Sequence, residues 1–188
     1  RMKNLLVVLI ASSQLFAGIV EFSGTPKTVV ASGVVAKVYP EVTIKTGDAD
    51  LKVKLSGSGI RTKEVFFVNV NVYLAASYLD DLSQVKAEQP LESIKNTKAR
   101  VMQLTFLRAL TGQELSTAMQ EALTTKGNDV DINSPAFKNL FSQFTFDINK
   151  GQMLTIAMFN KGGNLEKVMI EVPDKSFAEE ADFFGLDL

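Results

Sequence analysis

GSGIRTKEVFFVNVNVYLAASYL, the stretch from Gly57 to Leu79, contains the longest β-type run of the chain. Gly57 and Gly59 lie two residues apart and permit a sharp bend or a close backbone approach. Arg61 follows at that bend. From Val65 to Leu79 the alternation reads as one strand, with Phe66, Val68, Val70, Val72 and Leu74 forming an apolar face. The opposite face is mixed: Phe67, Asn69, Asn71, Tyr73, Ala75 and Ser77. Strict alternation places Tyr73 with the two asparagines, facing either solvent or a polar-studded cleft. A guanidinium near a phenol hydroxyl, at the mouth of an apolar fold, suits an anionic ligand with an apolar tail. Two plainer roles stay open at this point. Arg61 can bond bend carbonyls or pair with Glu64, and Tyr73 can hold its hydroxyl in water.

On the N-terminal side, Val29–Val30, Val34–Val35 and Val38–Tyr39 are rich in β-formers, and Val42–Thr43–Ile44 resumes after Pro40. Thr46 to Asp50 is a turn signal before Leu51–Lys52–Val53–Lys54–Leu55, whose apolar odd positions predict a half-buried strand. On the C-terminal side, Ala99 to Leu107 is strand-like, with Arg108 at its end as a structural ion-pair partner. The period then changes. Thr111–Gly112–Gln113–Glu114 is a capping box, followed by Leu115, Ala118, Met119 and Ala122 at helical spacing, with Gly127 as a stop. Ser134–Pro135 opens a second helix whose stripe is Phe137, Leu140, Phe141 and Phe144. Gln152 to Phe159 and Leu165 to Val172 read as a hairpin across a glycine-containing turn, and Ser176 to Leu188 as the start of a last helix. Strands, a helix pair, a hairpin and a helix make an α+β pattern with a mainly antiparallel sheet.

Composition removes whole classes of chemistry. The chain has no histidine and no cysteine, so Ser–His–Asp triads, Cys–His nucleophiles, zinc sites built from His or Cys, and disulfides are excluded. Acidic pairs such as Asp80–Asp81 and Glu179–Glu180 read as solvated surface, and neither a metal nor a cofactor is expected. A net charge of −1 without a basic stripe argues against nucleic acid as a partner. Met2–Lys3–Asn4 followed by Leu5 to Ala11 and a small residue at Ala17 reads as a secretory signal peptide over residues 1–17. Residues 18–188 then form a single domain, periplasmic or secreted, with no membrane span after removal of the signal. The competing reading makes residues 1–17 a buried first strand or helix.

The Gly57-x-Gly59-x-Arg61-Thr62-Lys63 block, the strand ending Val72-Tyr-Leu-Ala-Ala-Ser-Tyr-Leu79, and Arg100 to Leu110 with the helix after it resemble the bacterial chalcone isomerase-like family. The resemblance runs from about Val38 to Phe177. It implies an open-faced β-sandwich, a large antiparallel sheet packed by helices, with a ligand cleft between them. In plant chalcone isomerases an arginine on the equivalent segment guides a flavonoid oxyanion, and Arg61 matches it. The catalytic threonine of those enzymes falls on Tyr73 here, and their helix tyrosine and asparagine fall on Leu115 and Ala122. Leucine and alanine supply no hydrogen bond to a developing charge. Non-catalytic relatives hold a fatty-acid carboxylate with an arginine and a tyrosine. The resemblance therefore implies a non-catalytic binder of a fatty acid or similar amphipathic anion, held by Arg61 and Tyr73, with Asn71 and Asn69 as further contacts. Two alternatives stand beside it: an intramolecular lyase or isomerase acting on a small enone or phenol, and a structural or interaction protein without a ligand. The ligand's identity and the oligomeric state are not readable from the chain.

Overall fold

The computed structural model describes residues 18–46, 49–86, 88, 96–124, 132–161, 164–172 and 175–180. The expected signal segment, the helix stop at Gly127 and residues 181–188 lie outside them. The described strands are β1 (Val20–Ser23), β2 (Lys27–Ala31), β3 (Val34–Val38), β4 (Glu41–Lys45), β5 (Asp50–Val65), β6 (Val68–Leu79), β7 (Ala99–Phe106), β8 (Met153–Lys161), β9 (Asn164–Val172) and β10 (Lys175–Glu180). The described α-helices are α1 (Gly112–Thr124) and α2 (Pro135–Ser142), with a short 3-10 turn at Leu82–Gln84. Eight strands form one antiparallel sheet in the order β1-β4-β5-β6-β7-β8-β9-β10, while β2 and β3 pair as a separate hairpin.

Two apolar clusters lie on the two faces of the large sheet. Ile44, Val53, Leu74, Ala76, Tyr78 and Val101 pack with Ala36 and Val38 of the β2–β3 hairpin. Leu104, Phe106, Leu154 and Ile170 pack instead with Leu115 of α1 and with Phe137 and Leu140 of α2. Alternation within each strand produces this division, because successive side chains serve opposite faces. The helix starts follow the local chemistry. The Thr111 N–H donates to Glu114 Oε2 at 2.8 Å and the Glu114 N–H donates to Thr111 Oγ1 at 3.1 Å, a reciprocal cap. Ser134 accepts from the Phe137 N–H, with Pro135 in the first turn.

Three expectations change. Gly57 and Gly59 do not make a bend. They lie within β5, which runs unbroken for 16 residues and absorbs its curvature through register shifts between Leu55 and Gly57 and between Arg61 and Thr62. Val65 to Leu79 is not one strand either. β5 ends at Val65, Phe66 and Phe67 turn the chain, and β6 begins at Val68. Both phenylalanines have positive φ, 48° and 66°, which is the two-residue hairpin turn that Asn-Gly usually makes. Aromatic residues carry no turn signal, so alternation ran straight through them. Finally, Ser176 and its neighbours join β10, which pairs antiparallel with β9, rather than a helix. The open edge of β9 offers unpaired backbone groups that a strand can satisfy.

Candidate functional site

Arg61 of β5 stands directly opposite Tyr73 of β6, and Tyr73 opposite Phe106 of β7. Direct partners share a face with Cβ atoms about 5 Å apart. That face is the helix-covered one. Tyr73 packs against the cluster that contains α1 and α2, and its ring meets Phe106 edge-on with centroids 6.1 Å apart. The register shift at Arg61/Thr62 leaves Val72 as an extra residue in β6, and Val72 joins Tyr73 on the helix face. Among the described residues neither the Arg61 guanidinium nor the Tyr73 hydroxyl makes a hydrogen bond or ion pair, so both remain available to a ligand. Nearby Arg108 pairs with Glu114 at 3.8 Å, as its structural reading anticipated.

The extra residue also reverses the parity of the β6 stem. Asn71 does not share the face of Tyr73. It donates from Nδ2 to Ser32 Oγ at 3.2 Å, against the β2–β3 hairpin on the other side of the sheet. Asn69, two residues earlier and opposite Glu64, takes the same side as Asn71. The structure thus brings Arg61 and Tyr73 together and leaves Asn69 and Asn71 apart from them. Tyr78 is likewise on the far face, fully buried among Leu74, Ala76 and Val101. Burial pushes its phenol up to about 12. A backbone contact with Tyr39 pulls the other way, yet no hydrogen bond of full geometry reaches the hydroxyl.

Beside Arg61 the helix-facing surface of β5 and β6 has a low floor. Gly59 faces Ala75, and Gly57 faces Ser77, which in turn faces Met102 of β7. A Cβ added at Gly57 or Gly59 would meet nothing within 4 Å. Met102, though apolar, is 39% exposed. Four residues separate the Arg61 row from the Gly57 row, a track of about 13 Å at roughly 3.3 Å per residue. One row beyond lies Arg100, opposite Leu79. Its Nε is buried without a hydrogen-bond partner, and desolvation holds the guanidinium below the usual arginine range. Nothing in the sequence singles out Arg100, because only strand register places it on the face of Arg61. No group of three or more acidic side chains among the described residues could hold a metal ion.

A curled antiparallel sheet with helices on one face, and an exposed arginine opposite a tyrosine on that same face, define a member of the open-faced β-sandwich class. A chalcone isomerase-like family model matches residues 32–184, and the chain belongs to that family. In fold it is similar to the fatty-acid binding protein AtFAP1 of Arabidopsis thaliana, with a TM-score of 0.57 and 14% sequence identity over 84% of each chain. No curated protein matches it in sequence.

Proposed function

We propose that this protein binds a fatty acid or a similar amphipathic anion without transforming it. The carrying observation is the Arg61–Tyr73 pair on the helix-facing side of β5 and β6, with neither polar group engaged among the described residues. A carboxylate seated there takes a charge-assisted bond from the guanidinium and a second from the phenol. The tail follows the Gly59–Ala75 and Gly57–Ser77 floor, where burial of methylenes supplies most of the affinity at about 0.8 kcal/mol each. The fold likeness to a fatty-acid binding protein supports this reading. Binding is favoured over turnover because the position matching the plant enzymes' helix tyrosine is Leu115, buried in the core against α2 and the sheet.

Native mass spectrometry of gently purified protein tests the reading, with Tyr73→Phe measured in parallel. One fatty acid per chain is expected to co-purify or to bind on addition, with affinity about ten- to a hundredfold weaker in Tyr73→Phe, the worth of one hydrogen bond to a charged group. Lipid-free protein that takes up no added fatty acid would overturn it.

A further inference from the structure

The most exposed large apolar side chains among the described residues are at the tip of the β5–β6 hairpin. Phe66 is 93% and Phe67 96% exposed, and the flanking Val65 and Val68 are exposed at 41% and 61%. Two aromatic side chains occupy a turn whose backbone favours Asn and Gly. Neither ring packs on the protein, so folding gains nothing from their being aromatic. From these observations we infer that the tip is a wedge that docks the protein on an anionic lipid surface.

Shape, surroundings and charge favour a bilayer over a protein partner. A tip two residues wide offers far less than the roughly 800 Å² per partner of a standard protein interface, whereas the headgroup region accepts a narrow aromatic wedge. A second apolar pair stands beside it. Val30 and Val35 face each other on the β2–β3 hairpin, are 69% and 66% exposed, and belong to a hairpin whose turn residue Ser32 bonds to Asn71 at the stem of the tip. Cations border these residues. Lys63 lies two positions from Val65, and Lys150 Nζ lies 3.7 Å from a Cβ built at Gly33, next to Ser32, against the single acid Glu64 in the stem. Positive charge beside an apolar wedge complements anionic headgroups. Among the described residues no helix is long and apolar enough to cross a membrane, and a two-residue aromatic tip reaches only the headgroup region. The Arg61–Tyr73 pair lies on the same hairpin, a few residues from the tip, so docking would hold the proposed carboxylate anchor near the headgroups. The wedge itself does not depend on that anchor.

The test uses flotation with vesicles of phosphatidylcholine containing 30% phosphatidylglycerol, comparing the full chain with the double substitution Phe66→Asn and Phe67→Gly. These residues suit the turn, so the variant is expected to fold with a raised melting temperature while its vesicle partitioning falls more than tenfold. The chain has no tryptophan, so Phe67→Trp gives a background-free reporter, expected to shift its emission to the blue on those vesicles. Two results would overturn the inference: equal partitioning of the two proteins, or a wild-type oligomer that the double substitution dissociates, which would make the tip a contact between copies. Fatty-acid binding measured on the same two proteins keeps this outcome separate from the proposed function, since the double substitution leaves Arg61 and Tyr73 in place.

Discussion

Two tyrosines five residues apart on β6 have opposite fates, and the extra residue at Val72 does not separate them; alternation does. Tyr73 faces the helices beside Arg61, and Tyr78 is sealed between the sheet and the β2–β3 hairpin. The Tyr78 phenol is raised from 10.0 to about 12 by burial. Folding therefore favours the neutral phenol. Its contribution is complete below pH 10 and lost as pH rises through about 12, a change of about 2–3 kcal/mol at roughly 1.4 kcal/mol per unit. Urea denaturation of wild type and Tyr78→Phe between pH 9 and 12 checks this. The phenylalanine variant is expected to match or exceed wild type at neutral pH, because the buried hydroxyl has no well-formed partner, and to lose less stability in alkali. Parallel curves for the two proteins would contradict the assignment.

Among the elements, the proposed tail track depends on the glycines of β5. Gly59 is extended, opposes Ala75 and has open space where a side chain would stand. Gly59→Leu is therefore expected to leave stability within about 0.5 kcal/mol of wild type or above it, since glycine weakens a strand interior, while fatty-acid binding falls at least tenfold. Binding at wild-type strength would move the tail elsewhere. Gly112 is the opposite case. A Cβ there would press on the carbonyl oxygens of Phe144 and Phe146, which are backbone and cannot swing aside. Gly112→Ala is expected to cost about 2–3 kcal/mol as overpacking, read from the denaturation midpoint. Both glycines look alike in sequence; only their neighbours tell them apart. The same limit explains what was legible. The strand and helix types, the Thr111–Glu114 cap, the Ser134–Pro135 start and the β8–β9 hairpin follow from local periodicity and local chemistry. The Phe66–Phe67 turn, the extra residue at Val72 and the strand at Lys175–Glu180 do not. The first lacks turn residues, the second is a register event between two strands, and the third depends on an edge that exists only once β9 has formed. The candidate site inherits this division. Arg61 and Tyr73 stand out from residue type and resemblance, while the separation of Asn69 and Asn71 from them needs the register.

Across the whole molecule, the two faces of one sheet are covered differently. The face under the β2–β3 hairpin is closed over Val42, Ile44, Val53 and Tyr78, all without exposed surface. The helix face is closed around Leu104, Phe106 and Leu154 and open beside Gly57, Gly59 and Met102. An uneven covering of this kind suits a protein whose stability rests on one side and whose ligand occupies the other. A ligand that binds only the folded state adds stability by mass action, about 2.7 kcal/mol at a hundredfold excess over Kd. The proposed binding function rests on a carboxylate held by Arg61. Calorimetric titration of delipidated wild type and Arg61→Gln with a long-chain fatty acid and with its methyl ester tests it most directly. Wild type is expected to bind one equivalent of free acid, with affinity at least tenfold weaker for the ester and for Arg61→Gln, and no further loss when both changes are combined. Equal affinity for acid and ester, or an Arg61→Gln protein that binds like wild type, would contradict it.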